Sequence, residues 1–365
     1  MRVALFVCLA WFAAATVAVA ADPAIPKTTR KVVLEKTPSG RYGWKLTEGP
    51  VPAVGDAQVL VHVRAVALNR GDLEIFDPDP NHDISGLLVG SDAAGDVVAV
   101  GSKVRSVRKG MRVTSTYFPN WPDGPATDEV MKRGGLGAQV DGVVADYVVL
   151  EEAGVVPIPD GLTYEEGATL PTAGLTGYMA TLGHRQLGKG DVVLVQGTGG
   201  VSLFAAQFAA AAGARVIATS SSDEKLRKVR DFGVQDGINY KTTPAWSARV
   251  LELTAGRGAD VIVDVGGKDT LEESVKSVAF GGQVSIVGGL TGYGGTFRAS
   301  SLIGKSARAQ GIFVGARADF LRMNAFIARQ RLHPVVDRVL PLEQYADALK
   351  QMESGNFVGK IVLRL

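Results

Sequence analysis

An apolar run opens the chain. From Val3 to Ala21 it is broken only by Thr16, and Asp22-Pro23 ends it. Because Ala18-Val19-Ala20 has the small-x-small pattern of a signal-peptidase site, residues 1–20 are predicted to be a cleaved signal peptide, and the protein to be exported to the periplasm or secreted. One alternative is that the run is an uncleaved membrane anchor. The other is that the start site is misread, in which case the protein would stay in the cytoplasm.

Short apolar segments bounded by turn residues follow between residues 31 and 150. Their length and β-branched content predict strands at 32–34, 58–67, 96–100 and 143–150. The stretch 117–142 contains three prolines and a Gly-Gly pair, and it predicts a long loop.

From residue 191 onward, apolar strands alternate with helices. Such alternation indicates a parallel sheet that helices cover on both faces. The predicted strands are 192–196, 215–219, 238–240, 261–265, 283–287 and 310–314, and the helices are 201–212, 223–231 and 271–279. Six strands suit a doubly wound nucleotide-binding fold. A helix at 318–330 and an apolar strand at 360–363 follow, and the latter is placed to return to the first domain.

A glycine-rich loop follows the first of these strands. It reads Gly197-Thr198-Gly199-Gly200-Val201-Ser202, a G-x-G-x-x-S pattern that opens a helix. Gly197 permits the tight turn, Gly199 permits close approach to a pyrophosphate, and Ser202 is small enough to replace the third glycine. The helix N-terminus adds free N–H groups and partial positive charge. The loop therefore predicts dinucleotide binding rather than a merely structural turn.

The end of the second strand decides between NAD and NADP. NAD enzymes usually carry Asp or Glu there, whereas this strand ends in three serines and Asp223 lies about one turn later. Four residues supply donors for a 2′-phosphate: Ser220, Ser221, Lys225 and Tyr240. NADP is therefore predicted, with NAD still possible. The other interpretation is a capping box between Ser221 and Glu224, with Lys225 as a solvated helix residue.

Several blocks make residues 30–365 similar to the medium-chain dehydrogenase/reductase superfamily, and most to its zinc-independent quinone-oxidoreductase-like and alcohol-dehydrogenase-like branch. The blocks are 67–73, 90–101, 109–113, 170–176, 197–202 and 359–362. The resemblance implies an α/β fold with a GroES-like β-rich catalytic domain at 30–165, a Rossmann domain at 166–315, and a segment at 316–365 that completes the catalytic domain. It also implies a homodimer or homotetramer.

Zinc-dependent members of that superfamily hold a catalytic zinc at three positions, which here match Asn69, Ser91-Asp92 and Thr172. Amides and hydroxyls are poor zinc ligands. The lobe with four cysteines is missing, and the sole cysteine, Cys8, lies in the predicted signal peptide. The histidines show no ligand spacing: His62, His82, His184 and His333. No zinc or other metal is therefore expected.

The resemblance places Asn69 beside the nicotinamide and Asp72 as its support, so these are the expected catalytic residues. Arg70 and Tyr117 are further candidate donors, and Phe76, Phe118 and Trp121 are candidate pocket walls. The expected cofactor contacts are Thr176, Gly197, Thr198, Gly199, Gly200, Val201, Ser220, Ser221, Lys225, Tyr240, Val265, Gly288, Phe313, Val314, Gly315 and Lys360. Some of these residues follow predicted Rossmann strands, and their positions agree with the rule that ligands bind at the carboxyl ends of parallel strands. They are Val265, Gly288, Phe313, Val314 and Gly315. Lys360 either meets the cofactor or caps the last strand.

The amino-acid composition limits the classes of partner that the protein is expected to bind. Lys and Arg number 39 against 37 Asp and Glu, which excludes nucleic-acid binding through an overall basic surface. The 46% hydrophobic content excludes a mostly disordered chain. The expected activity is hydride transfer between NADPH and a small quinone, α,β-unsaturated carbonyl, or aldehyde or alcohol, with no membrane contact after signal cleavage. The alternative is a non-catalytic nicotinamide-nucleotide-binding protein.

Overall fold

The computed structural model describes residues 24–74 and 83–365. The predicted signal peptide, Phe76 and His82 lie outside these ranges. Within them, no helix combines the length and apolarity needed to cross a membrane.

The strands, in chain order, are β1 (Thr28–Lys36), β2 (Tyr42–Pro50), β3 (Gln58–Ala67), β4 (Asp92–Val100), β5 (Arg112–Ser115), β6 (Tyr147–Glu151), β7 (Val155–Pro157), β8 (Val192–Gln196), β9 (Arg215–Ser220), β10 (Asp236–Asn239), β11 (Ala259–Asp264), β12 (Val278–Ile286), β13 (Arg308–Gly311), β14 (Val336–Pro341) and β15 (Lys360–Arg364). The helices are α1 (Gly71–Glu74), α2 (Asp128–Arg133), α3 (Tyr164–Ala168), α4 (Leu175–Thr181), α5 (Gly200–Ala211), α6 (Asp223–Lys228), α7 (Trp246–Leu253), α8 (Leu271–Ser277), α9 (Ala299–Ile303), α10 (Arg317–Gln330) and α11 (Tyr345–Ser354).

A parallel sheet forms the nucleotide-binding domain. In the described chain its strand order is β10-β9-β8-β11-β12-β13. Every residue of β8 and β11 is buried, as expected for central strands covered on both faces. The order reverses between β8 and β11, which places a crevice at their carboxyl ends. The predicted doubly wound Rossmann domain is confirmed.

A mostly antiparallel sheet forms the other domain, and the chain's end contributes to it. Its order among the described residues is β14-β15-β3-β4-β5-β7, with β6 also paired to β3. Strand β15 runs antiparallel to β3, with Val362 opposite Ala67, and β14 runs parallel to β15. The predicted β-rich GroES-like domain is confirmed. Because β15 returns to β3, the segment after the Rossmann domain is held against the residues that follow β3.

Some predicted boundaries are wrong for local reasons. Helix α2, whose N-cap is Thr127, interrupts the loop predicted at 117–142. Within the strand predicted at 143–150, only the part from Tyr147 is a strand, because Val143 and Val144 instead donate to Val89 O. The last Rossmann strand ends at Gly311 rather than at 314, and Val314 has a left-handed φ of 54°, which a strand does not accommodate.

Candidate active site

A cleft of about 1420 Å³ lies between the two domains. Pockets for a single drug-sized ligand are roughly 300–1,000 Å³, so this cleft has room for a dinucleotide and a small substrate together. The Rossmann side supplies the carboxyl ends of β8, β9, β11 and β12, and the other domain supplies residues 68–72 and the end of α11.

The glycine-rich loop forms the middle of the cleft. Gly197 adopts a φ of 74°, and its N–H donates to Thr219 O at 2.8 Å. A side chain built at Gly199 would meet no atom within 4 Å, so open space lies against the backbone there. Gly199 is also the N-cap of α5 and provides no side-chain cap. A cradle of this kind fits the pyrophosphate of a nicotinamide dinucleotide.

A buried carboxylate holds this loop in place. Asp264 accepts hydrogen bonds from Gly267 N (2.9 Å), Thr270 Oγ1 (2.7 Å), Ser274 Oγ (2.6 Å) and Gln196 Nε2 (3.0 Å). It thereby ties the end of β8 to the turn after β11. We did not predict this role, although a polar residue at the tip of each of two apolar strands was a visible signal.

Helix α5 is anchored to β8 as well. Ser202 Oγ donates to Gln196 O at 2.6 Å. The serine at the third glycine position therefore adds a hydrogen bond between the helix and the strand end, besides being small.

The end of β9 brings the predicted phosphate donors together. Four predicted residues and two further ones line this part of the cleft: Ser220, Ser221, Lys225, Tyr240, Ser222 and Lys241. The cap of α6 is Ser222, whose Oγ accepts from Lys225 N, so the alternative interpretation of Ser221 and Glu224 as a capping box is wrong. Asp223 does not line the cleft, and its Oδ1 accepts from Asn239 Nδ2 at 3.0 Å.

Lys225 is not a solvated helix residue. Its Nζ donates to Gly355 O at the end of α11, across the cleft, and burial lowers its pKa. Glu353 and Asn356 of the same segment also line the cleft.

At the end of the cleft away from Lys225, Asp72 supports Asn69 as expected. Its Oδ2 accepts from Asn69 N at 2.6 Å, across the start of α1. Burial raises the pKa of Asp72 to about 7; the charge of Asp92 adds to the shift, while the Asn69 N–H and Lys360 oppose it.

The three positions that match zinc ligands in the superfamily come together. Asn69 Nδ2 donates to Ser91 Oγ at 3.3 Å, and Ser91 Oγ lies 3.5 Å from Thr172 Oγ1. Both hydroxyls donate to Asp92 Oδ1 at 2.6 Å, and Thr172 N donates to Asp92 Oδ2 at 3.1 Å.

This donor set does not fit a tetrahedral zinc, since it offers an amide, two hydroxyls and a single carboxylate that is already hydrogen-bonded. No cluster of three or more His, Cys, Asp or Glu side chains within residues 24–74 and 83–365 is placed to hold a metal.

Lys360 joins the loop to this cluster. It is 4% exposed, and its Nζ donates to Leu68 O and to Asn69 Oδ1. Its stem lies so close to the loop that a side chain at Gly200 would approach Lys360 Cδ to 2.5 Å. Gly359 N donates to Thr198 O at 2.9 Å. Lys360 therefore faces Asn69 in the cleft rather than merely ending a strand.

The remaining predicted contacts divide into two groups. Six of them line the cleft: Thr176, Val201, Val265, Gly288, Phe313 and Val314. Gly315 does not, because its Cα faces α4, where a side chain would meet Met179 Cγ at 3.0 Å and Leu175 Cγ at 3.1 Å. The lack of a side chain at Gly315 therefore allows the backbone to pack closely against α4.

Aromatic rings form one wall. Tyr117 lines the cleft and packs edge-on against Phe118 and Phe313, with ring centroids 4.6 and 6.2 Å away. Burial raises the pKa of Tyr117 to about 12. Phe118 packs behind Tyr117 and Trp121 behind Phe118, and neither of these two expected wall residues lines the cleft.

One contact across the cleft was not predicted. Tyr293 OH donates to Glu74 Oε2 at 2.9 Å and so joins the loop after β12 to α1. The glycine-rich character of residues 288–295 was its only sequence signal.

Comparison with known proteins identifies the family. The family model described as "Alcohol dehydrogenase GroES-like domain" matches residues 55–160, and that described as "Zinc-binding dehydrogenase" matches residues 200–329. A zinc-type alcohol dehydrogenase-like protein of Schizosaccharomyces pombe is 40% identical over 90% of this chain and 96% of its own length. A quinone oxidoreductase of Pseudomonas aeruginosa is 36% identical over 65% of this chain and 67% of its own length.

The fold agrees with these matches. The crystal structure of a putative alcohol dehydrogenase from Sinorhizobium meliloti superposes with a TM-score of 0.88 at 37% identity, covering 94% of this chain and all of that one. The sequence matches, the two domains and the cleft between them show that the chain belongs to the medium-chain dehydrogenase/reductase superfamily of oxidoreductases.

Proposed function

We propose that the protein is a zinc-independent, NADPH-dependent oxidoreductase that transfers hydride between NADPH and a small quinone, an α,β-unsaturated carbonyl compound, or an aldehyde or alcohol. The observation that carries the proposal is one continuous cleft. It joins an open glycine-rich loop to a cluster of donors at one end and to the Asn69 cluster at the other.

The preference for NADPH rests on the end of β9. Serine hydroxyls, Lys225 and Lys241 offer hydrogen bonds and positive charge to a 2′-phosphate. Asp223, the first carboxylate after the strand, is hydrogen-bonded to Asn239 and does not line the cleft. A carboxylate facing that phosphate would repel it, and this arrangement avoids the repulsion.

The chain's own residues would hold and orient the reactants. The loop from Gly197 to Val201 would hold the pyrophosphate, and Val265, Gly288 and Val314 would lie along the rest of the dinucleotide. When bound, the cofactor supplies a hydride. Asn69 would orient the substrate oxygen, and the ring of Tyr117 would keep water from one side.

The aromatic wall of the cleft supports the proposed substrate class. Tyr117 and Phe313 offer aromatic surface in the same cleft as the polar cluster around Asn69. A flat or unsaturated carbonyl compound suits such a pocket. The quinone oxidoreductase among the relatives supports this choice.

One assay tests the proposal. Purified protein is mixed with NADPH or NADH and a panel of quinones, enones and aldehydes, while nicotinamide absorbance is followed. We expect NADPH oxidation with at least one carbonyl class, with a higher kcat/KM than for NADH. Tight NADPH binding without oxidation across the panel would instead support a non-catalytic nucleotide-binding protein.

A further inference from the structure

The loop after β12, residues 288–295, reaches across the cleft at its Asn69 end. Tyr293 OH donates to Glu74 Oε2 at 2.9 Å, and both residues line the cleft. Tyr293 belongs to the Rossmann domain, whereas Glu74 belongs to the catalytic domain and ends α1, five residues after Asn69. This hydrogen bond therefore joins the two walls of the cleft.

The base of this loop is fixed to the Rossmann domain. Thr291 N donates to Gly266 O at 2.9 Å, and Gly292 O accepts from Lys268 N at 2.9 Å. Because these bonds hold the loop to the turn after β11, the loop moves with the Rossmann domain. Separating the walls of the cleft at this end therefore breaks the bond that Tyr293 makes across it.

The side chains of this loop are not packed into a core. Tyr293 is 79% exposed and Leu290 is 56% exposed. Gly292 and Gly295, on either side of Tyr293, have φ values of 123° and 119°, a region that favours glycine and lets the backbone turn there. Since the tyrosine buries little surface, its hydrogen bond to Glu74 contributes much of what holds it across the cleft.

The carboxylate of Glu74 is oriented for this bond. Arg70 Nε lies 3.6 Å from Glu74 Oε1, one helical turn away, which leaves Oε2 for Tyr293. A hydrogen bond to a carboxylate is roughly twice as strong as one between neutral groups. Both bonded atoms belong to the protein, so the contact forms with or without a dinucleotide in the cleft. At the other end, the bond from Lys225 to Gly355 O instead competes with the proposed 2′-phosphate contact.

We propose that the Tyr293–Glu74 bond is a closing contact that controls how fast the cofactor enters and leaves the cleft. The inference rests on the proposed function, in that the cleft binds NADPH. The dinucleotide passes when the walls separate, and separation breaks the bond. Because the contact stabilises the closed cleft equally with and without cofactor, it slows association and dissociation by the same factor and leaves the affinity unchanged.

The test uses three variants of the full-length protein: Tyr293→Phe, Glu74→Ala and the double variant. Tyr293→Phe removes the hydroxyl and keeps the ring, while Glu74→Ala removes the acceptor. Stopped-flow fluorescence of NADPH on mixing with protein gives the association rate constant. Displacement of bound NADPH by excess NADP⁺ gives the dissociation rate constant. Neither measurement needs a carbonyl substrate.

A matched control is Tyr164→Phe. Tyr164 OH also donates to a carboxylate, Asp96 Oδ1 at 2.5 Å, but both residues belong to the catalytic domain and neither lines the cleft. This variant reports what the loss of a tyrosine–carboxylate bond does to the fold alone, and its two rate constants should equal those of the wild type.

We expect Tyr293→Phe to raise both rate constants about tenfold, equivalent to about 1.4 kcal/mol, with less than about threefold change in the NADPH dissociation constant. Glu74→Ala should have the same effect. The double variant should go no further than either single variant, because the two side chains act through one bond.

Unchanged rate constants in single variants that bind NADPH would overturn the inference and leave the proposed function standing. Faster dissociation alone, with weaker NADPH affinity, would overturn it as well and make Tyr293 a cofactor contact. An effect of roughly 100-fold in the double variant would show that the two residues act independently, against a shared bond. A wild-type protein that binds neither NADPH nor NADH would overturn the proposed function, and with it this inference.

Discussion

Asp72 is a carboxyl group in surroundings that disfavour its charge. Burial raises its pKa to about 7 from an ordinary value of 3.8. The unfolded chain therefore loses this proton at lower pH than the folded protein does. It follows that the contribution of Asp72 to the free energy of unfolding is largest below pH 3.8 and falls until pH is above about 7.

Replacing Asp72 with Asn should remove that fall, because the amide stays neutral and still accepts from Asn69 N. We expect the stability of the variant relative to wild type to be higher at pH 8 than at pH 5. Urea unfolding at both pH values measures it, with the exposed Asp269→Asn as control. If the free energy of unfolding differed between the variant and the wild type by the same amount at both pH values, the raised pKa of Asp72 would be contradicted.

A single substitution at Lys225 tests the proposed preference for NADPH over NADH. Lys225→Met should raise KM for NADPH about tenfold, equivalent to about 1.4 kcal/mol, because a charge-assisted phosphate contact is lost. KM for NADH should change little. Lys228→Met serves as control, since Lys228 is on the same helix but pairs with the exposed Glu224. Equal effects of Lys225→Met on both cofactors would argue against a 2′-phosphate contact.

At the scale of elements, the buried Asp264 links β8, β11 and α8. Asp264→Ala would remove the acceptor of four hydrogen bonds, although Gln196 Nε2 and Thr270 Oγ1 each keep a second acceptor, so we expect a loss of about 3 kcal/mol in the free energy of unfolding. NADPH binding should also weaken, because Gln196 would lose one of the bonds that hold the start of the glycine-rich loop. Urea unfolding and fluorescence titration measure both effects. Asp269→Ala in the same loop is the control and should change neither.

At the scale of the whole molecule, the predicted homodimer or homotetramer stays a prediction. Phe280 and Ile303 are each 77% exposed, and β13 is an edge strand of the described sheet. Exposed apolar groups beside a free edge favour association. We expect light scattering to give at least twice the monomer mass, and Phe280→Glu to reduce it. A monomeric wild type would refute the prediction.

Export also stays a prediction, since residues 1–20 lie outside the described ranges. If the signal peptide is cleaved after Ala20, N-terminal sequencing of the native protein should begin at Ala21, and the protein should contain no cysteine. The protein should fractionate outside the cytoplasm. A cytoplasmic protein that retains Met1 would refute this expectation.

Local patterns in the sequence determined the Rossmann half of this protein. Apolar runs such as 192–196 and the loop that begins at Gly197 depend on neighbouring residues, so their elements and turn could be predicted nearly to the residue. The strands β2, β5, β7 and β14 were missed. Strands β5, β7 and β14 pair with segments farther along the chain, which local patterns do not report. Strand β2 forms a hairpin with β1, but only Tyr42 and Trp44 of its residues are buried, so it lacks a clear apolar pattern.

Only the tertiary structure decided the catalytic end. Asn69 and Lys360 are 291 residues apart, and they meet because β15 pairs with β3. Which serine caps α6, where Gly315 faces, and which donors remain free near Asn69 depend on hydrogen bonds among distant segments. Periodicity and spacing carry no information about such bonds, whereas the resemblance could name the residues without stating what each one touches.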